Sequence, residues 1–307
     1  MRRREFDEAW KKILDKYFIE FMKFYFPKIA EQIDFSKGYT FLDQELQKIM
    51  RGSKSKKRRV DKLVKVFLFN KQELWILIHV EVQTYVDKNF AERMFCYNYR
   101  IFDKYQKPVA SLAILADGDP DFSPNSYKIE VLGKRFVQFD FETVKLMDFK
   151  EKDLEQNPNP FAIVTLANIK TFELEKNFNE LFQCKYLITK MLYERGYTQE
   201  EILNLYEFLD AIVVLPEELE IKYNGKIKQF EEEKPMPYIT TAERIGRREG
   251  KREAIQQDIL DILEVRFSFV DASITSKVQN ISDLVKLKRL IRKAVTIASL
   301  DEFDKIL

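Results

Sequence analysis

The stretch from Asp61 to Gln83 constrains the fold more than any other. Lys62-Leu63-Val64-Lys65-Val66-Phe67-Leu68-Phe69 and Leu74-Trp75-Ile76-Leu77-Ile78-His79-Val80-Glu81-Val82-Gln83 are rich in β-branched and aromatic residues, and the polar Asn70-Lys71-Gln72 joins them. Two such runs with so short a link read as a β-hairpin. Side chains alternate faces along a strand, so Leu74, Ile76, Ile78, Val80 and Val82 form one apolar row. Trp75, Leu77, His79, Glu81 and Gln83 face the other way. Antiparallel pairing returns the end of the second strand to the start of the first, which sets Asp61 and Glu81 at one end of the hairpin. Either carboxylate alone carries little information; the pair at the mouth of an apolar hairpin is a chemical arrangement.

Composition narrows what can surround that hairpin. With 307 residues, 45% hydrophobic and 14% aromatic, the chain can bury a sizeable core in one large domain or two smaller ones. Eight glycines argue for helices rather than a Gly-rich barrel, and no phosphate-cradling Gly loop is present. Lys and Arg (52) nearly cancel Asp and Glu (50), so any nucleic-acid contact has to come from a local patch. One histidine, His79, excludes most His-based triads and multi-His metal sites. Cys96 and Cys184 make neither a disulfide framework nor a zinc site, and a reducing cytoplasm is the expected setting. No signal peptide or membrane span is expected, because Arg2-Arg3-Arg4 leads into an amphipathic stretch carrying acidic residues.

Along the chain, residues 5–26 carry apolar positions at helical spacing, with Pro27 opening a short second helix. Their aromatic density reads as a helix packed on the core rather than a ligand pocket. A short helix is expected within 41–50, carrying Glu45. The basic, Ser-spaced run Arg51, Lys54, Lys56, Lys57, Arg58 and Arg59 then leads into Asp61. Such runs are usually solvated; beside two carboxylates this one is also placed to contact phosphate.

After the hairpin, residues 89–105 read as a helix with Phe90, Met94, Ile101, Phe102 and Tyr105 on one side. Val109 to Ala116 reads as a buried strand, and a right-handed crossover sets it parallel to the Glu81 strand. Residues 127–148 read as further strands turning at Gly133. From Pro160 the pattern is helical, with one helix carrying Phe178, Phe182, Leu187, Ile188, Met191 and Leu192. Thr198 and Glu201 make a capping box for the next. Residues 216–238 read as a linker. A long charged helix over 241–267 follows, and Ser299 caps the last helix with Glu302.

Three segments together resemble the recombination-promoting nuclease (transposase-like) family. They are Arg58-Arg59-Val60-Asp61-Lys62-Leu63-Val64-Lys65-Val66, His79-Val80-Glu81-Val82-Gln83 and Phe90-Ala91-Glu92-Arg93-Met94-Phe95-Cys96-Tyr97-Asn98-Tyr99-Arg100. Val109 to Asp117 and Asn159-Pro160-Phe161-Ala162 fit the same pattern, and the likeness covers roughly residues 40–165. It implies an α/β fold with a PD-(D/E)XK nuclease-like core, a mixed sheet flanked by helices, and helical additions at both ends. With the helical patterns on either side, the expected layout is N-terminal helices over 1–40, the nuclease core over 41–150, a helical extension over 151–235 and a helical module over 236–307. The implied activity is metal-dependent DNA endonuclease chemistry tied to recombination or mobile elements, with Asp61, Glu81 and Gln83 as catalytic residues. Hydrolysis of a phosphodiester needs charge neutralisation and an activated water, and Mg²⁺ or Mn²⁺ suits carboxylate ligands. Asp61 and Glu81 would supply these; the resemblance adds the Val82 carbonyl and Glu45 as further ligands. DNA would lie along Lys54, Lys56, Lys57, Arg58 and Arg59.

Gln83 stands where the usual motif has Lys. An amide orients water but carries no cation, and Lys65, on the Asp61 face, is one substitute. The family includes such ExQ variants. The alternative is a catalytically degenerate nuclease fold that acts as a nucleic-acid-binding or protein-interaction module. Asp61 and Glu81 would then be structural, with Glu81 paired to Arg93 or Lys65. His79 reads as a hydrogen-bonded structural residue. A DDE-type transposase is disfavoured, since no third acidic residue declares itself. The C-terminal helices, with Ile255, Ile259, Ile262 and Leu263 on a charged helix, are expected to serve self-association or a partner.

Overall fold

The computed structural model describes the backbone of residues 2–50, 60–70, 72–81, 89–119, 121–233 and 241–307. It divides into two compact units, Arg2–Tyr223 and Asn224–Leu307. In the first, helices α1 (Arg2–Lys16), α2 (Phe18–Tyr25) and α3 (Pro27–Ala30) precede β1 (Thr40–Phe41) and α4 (Asp43–Met50). The hairpin follows as β2 (Val60–Phe67) and β3 (Glu73–Glu81), then α5 (Phe90–Tyr105) and β4 (Val109–Leu115). A separate two-stranded ribbon, β5 (Ser126–Val131) and β6 (Lys134–Asp140), leads to β7 (Glu142–Lys145). Helices α6 (Glu151–Gln156), α7 (Pro160–Glu173), α8 (Phe178–Glu194) and α9 (Gln199–Ile212) complete the unit.

The fold is α/β. A mixed five-stranded sheet runs β1-β2-β3-β4-β7, antiparallel through β3 and parallel from β3 onward. As expected, α5 lies between β3 and a β4 that pairs parallel to it. Leu63, Leu77 and Trp75 face Leu46 and Ile49 of α4 and Tyr97 and Ile101 of α5, a dry layer on one side of the sheet. Val64, Val66, Ile76, Ile78, Leu112 and Ile114 point to the other side and are buried too. Burial on both faces explains why these strands read as continuous apolar runs. The ribbon turns on Leu132 (φ 53°) and Gly133 (φ 71°). This two-residue connection with positive φ at both positions matches the right-handed twist of its strands.

The N-terminal aromatic stripe is core. Trp10 of α1, Phe21 and Tyr25 of α2 and Phe208 of α9 converge, directly or through Trp10, on Phe161 of α7, with ring centres 5.3–6.4 Å apart. The stripe is not one helix, as its spacing predicts. It breaks at Tyr17 (φ −130°, ψ 42°), whose hydroxyl accepts a 2.9 Å hydrogen bond from Asn204 Nδ2. Burial pushes the Tyr17 hydroxyl pKa up to about 12. Helix α7 is buried from Pro160 to Ile169, as an all-round apolar helix must be, and Asn159 caps it by accepting from Phe161 N.

Two further expectations are corrected. Residues 217–233 are a helix, α10 (Glu217–Glu233), and not linker; Tyr223, Ile227 and Phe230 are buried along one stripe of it. The inward face of α5 is Phe90, Arg93, Met94, Tyr97 and Ile101, while Phe102 is 49% exposed. The expected helix from Phe178 through Leu192 is α8; its buried stripe runs through Leu181, Lys185, Ile188 and Leu192 and leaves Leu187 exposed.

The second unit contains α11 (Thr241–Phe267), α12 (Ala272–Gln279), α13 (Leu284–Thr296) and α14 (Leu300–Asp304). Ile259, Leu263, Val278, Leu287, Leu290 and Phe303 form its core, with Ile255 and Ile262 packed against it. Ile255, Ile259, Ile262 and Leu263 of α11 are therefore packed with α12, α13 and α14 of the same chain. These four residues are covered without a second chain. The Thr198 capping box holds, with Glu201 N donating to Thr198 Oγ1 and Thr198 N donating to Glu201 Oε2; Ser299 caps the last helix by accepting from Glu302 N. No helix of the described residues is long and apolar enough to cross a membrane.

Candidate active site

The hairpin register brings Asp61 and Glu81 to one end of one face. Asp61 is the cross-strand partner of His79, and Glu81 lies two residues beyond His79. Opposed residues of an antiparallel pair share a face, as do residues two apart on a strand. All three positions continue the row of Leu63, Leu77 and Trp75, so they stand on the side that α4 and α5 cover. For Asp61, His79 and Glu81 the description extends to the backbone only. Val82, Gln83, Lys54, Lys56, Lys57, Arg58 and Arg59 lie outside the described residues.

Glu45 reaches this region through the way the chain enters α4. Phe41 pairs with Val64, and Leu42 N donates to Leu63 O at 2.7 Å. Asp43 Oδ2 then accepts from Lys62 Nζ at 2.8 Å. Helix α4 thus begins at the level of Lys62, the residue after Asp61. Glu45 is in that first turn and half-buried. Lys62 is itself buried: its amine also meets Asp15 Oδ1 of α1 at 2.6 Å and lies 4.9 Å from the Phe41 ring centre. One cation therefore ties β2 to both helices.

Lys65 is on the Asp61 face, as its alternation predicts, but opposite Trp75. Its amine lies 5.9 Å from the centre of the Phe67 ring, toward the far end of β2. Arg93, the alternative partner for Glu81, is buried on α5 with its guanidinium 5.2 Å from the Phe90 ring centre. At the opposite end of β3, Glu73 accepts from Trp75 Nε1 at 2.7 Å. That bond, with Lys107 beside it, holds the carboxyl below the usual glutamate range. Asn98 of α5 donates to Val109 O and Ser111 Oγ, both at 3.0 Å, and locks the helix to β4.

Two buried charges at the same end of the sheet were not singled out by sequence reasoning. Leu115 pairs with Glu81 on one side and with Lys145 of β7 on the other. The Lys145 amine reaches Asp117 Oδ1 at 3.2 Å, Phe122 O at 3.0 Å and Asp119 O. Asp117 directly follows the β4 run, and its position ending that run was the one available signal. Lys145 had none, since a lysine in a short strand ordinarily points to solvent.

Among the described residues, no cluster of three or more His, Cys, Asp or Glu groups could hold a metal ion. The donor type that Asp61 and Glu81 bring to the hairpin mouth, carboxylate, fits a hard divalent cation rather than a soft one. Comparison with known protein families, with characterised proteins and with solved structures gave no match.

Proposed function

We propose that the chain is a metal-dependent DNA endonuclease of the PD-(D/E)XK type, tied to recombination or mobile elements. The observation that carries this reading is the register of β2 and β3. It sets Asp61 opposite His79 and two residues from Glu81 on one face, with Glu45 of α4 entering at the same level and a parallel β4 following through α5. The proposed ligands of Mg²⁺ or Mn²⁺ are Asp61, Glu81, the Val82 carbonyl and Glu45. Such a cation lowers the pKa of a bound water and neutralises charge on the phosphate. The protein's own part is to hold Asp61 and Glu81 on neighbouring strands, which are stiffer than loops. Gln83 orients the attacking water through its amide, and Lys54 to Arg59 grip phosphates without reading bases.

Nicking of supercoiled plasmid by the purified chain, with Mg²⁺ and with EDTA, tests this. Mg²⁺-dependent nicking is the expected result. DNA binding without nicking in Mg²⁺ or Mn²⁺ would replace the reading with a degenerate fold that binds nucleic acid, the alternative that Gln83 raises.

A further inference from the structure

We infer that Asp117 is a further carboxylate of the divalent-cation site, held there by Lys145; this rests on the nuclease reading above. Asp117 follows β4 by two residues, and β4 is the strand beside Glu81. Leu115 is the residue paired with Glu81, about 4.8 Å away on the neighbouring strand, and Asp117 follows it by two residues, which leaves two carboxylate side chains able to reach one cation between them. It also stands at the carboxyl ends of β3, β4 and β7, the edge where open α/β sheets receive ligands.

The hydrogen bonds of the carboxylate are uneven. Oδ1 accepts from Asp119 N at 3.0 Å and from Lys145 Nζ at 3.2 Å. Oδ2 is buried and has no partner, although the side chain is only 4% exposed. Buried polar oxygens are nearly always partnered, and a bare one calls for an ion or a bound water. Lys145 cannot turn to it, because its three N–H groups are already committed to Asp117 Oδ1, Asp119 O and Phe122 O. Leu115 lies on the α5 side of the sheet, packed with Phe90 and Met94. Lys145, its parallel partner, shares that face, and so does the carboxylate Lys145 grips. This is also the face of Asp61 and Glu81. One oxygen of Asp117 is thus anchored from behind by a buried ammonium and a backbone amide, and the other is left as a ligand on the site's face.

Mn²⁺ titration of the full chain by calorimetry tests this with four proteins: the parent, Asp61→Asn, Asp117→Asn and the double variant Asp117→Asn/Lys145→Met. The double variant removes both buried charges together, so it leaves no unpaired ion and guards against a folding failure of the single one. The expected result is loss of binding in Asp61→Asn and at least about tenfold weaker binding in both Asp117 variants. Parent-like affinity in either folded Asp117 variant, with binding lost in Asp61→Asn, overturns this inference and leaves the nuclease reading standing. A parent protein that binds no Mn²⁺ overturns both.

Discussion

Lys62→Met asks how much the buried cation beside Asp61 contributes to the docking of α4. The lysine side chain is 5% exposed, and its amine meets Asp15 at 2.6 Å and Asp43 at 2.8 Å. Two hydrogen bonds to charged groups are worth about 1.5–3 kcal/mol each when a partner is removed. Both carboxylates are close to half exposed, 44% and 45%, so water recovers much of that once the amine is gone. Methionine keeps the buried aliphatic stem and removes the desolvation cost of the ammonium. The net expectation is a loss of about 2 kcal/mol, a fall in Tm of roughly 4–8 °C for a unit of this size. Urea melts of Lys62→Met, Asp43→Asn and the double variant should show a coupling of about 1 kcal/mol between the pair. If Lys62→Met is as stable as the parent, the ion cluster breaks even, and Leu46 and Ile49 alone hold α4, with Glu45, in place.

Three other expectations follow from the same account. Neutralising Lys56, Lys57 and Arg58 should weaken binding to all DNA sequences alike and flatten the dependence of log K on log salt by about one counterion per lost contact; an unchanged slope means the loop is only solvated. Gln83→Ala should slow cleavage roughly 10²-fold with metal affinity nearly unchanged, the signature of a lost water-positioning group. Parent-like rates would remove Gln83 from the mechanism. A fragment ending at Glu233 should keep a cooperative thermal melt, because the core around Phe161 lies within Arg2–Tyr223; a fragment that does not fold contradicts that.

What could be read from the sequence was what repeats locally. The hairpin, α5, β4 and the turn at Gly133 each show their own period or turn residue, and their bounds follow closely. The break at Tyr17 left no trace because helical spacing of apolar residues continues across it, and the Asn204 that meets the Tyr17 hydroxyl lies far along the chain. Helix α10 was hidden by its Glu-rich end and the prolines after it, although Tyr223, Ile227 and Phe230 already stood at helical spacing. The pairing of Asp61 with Glu81 needed only strand alternation. The Asp117–Lys145 pair needed the tertiary fold, since the loop after β4 has to wrap around an amine from a strand 28 residues away.

The central claim is that Asp61 and Glu81 together hold the cation that cuts DNA, and the most direct measurement is plasmid nicking in Mg²⁺ by purified Asp61→Ala and Glu81→Ala beside the parent. The account predicts that each variant melts as a folded protein and that neither nicks. Full cleavage by either folded variant would contradict it.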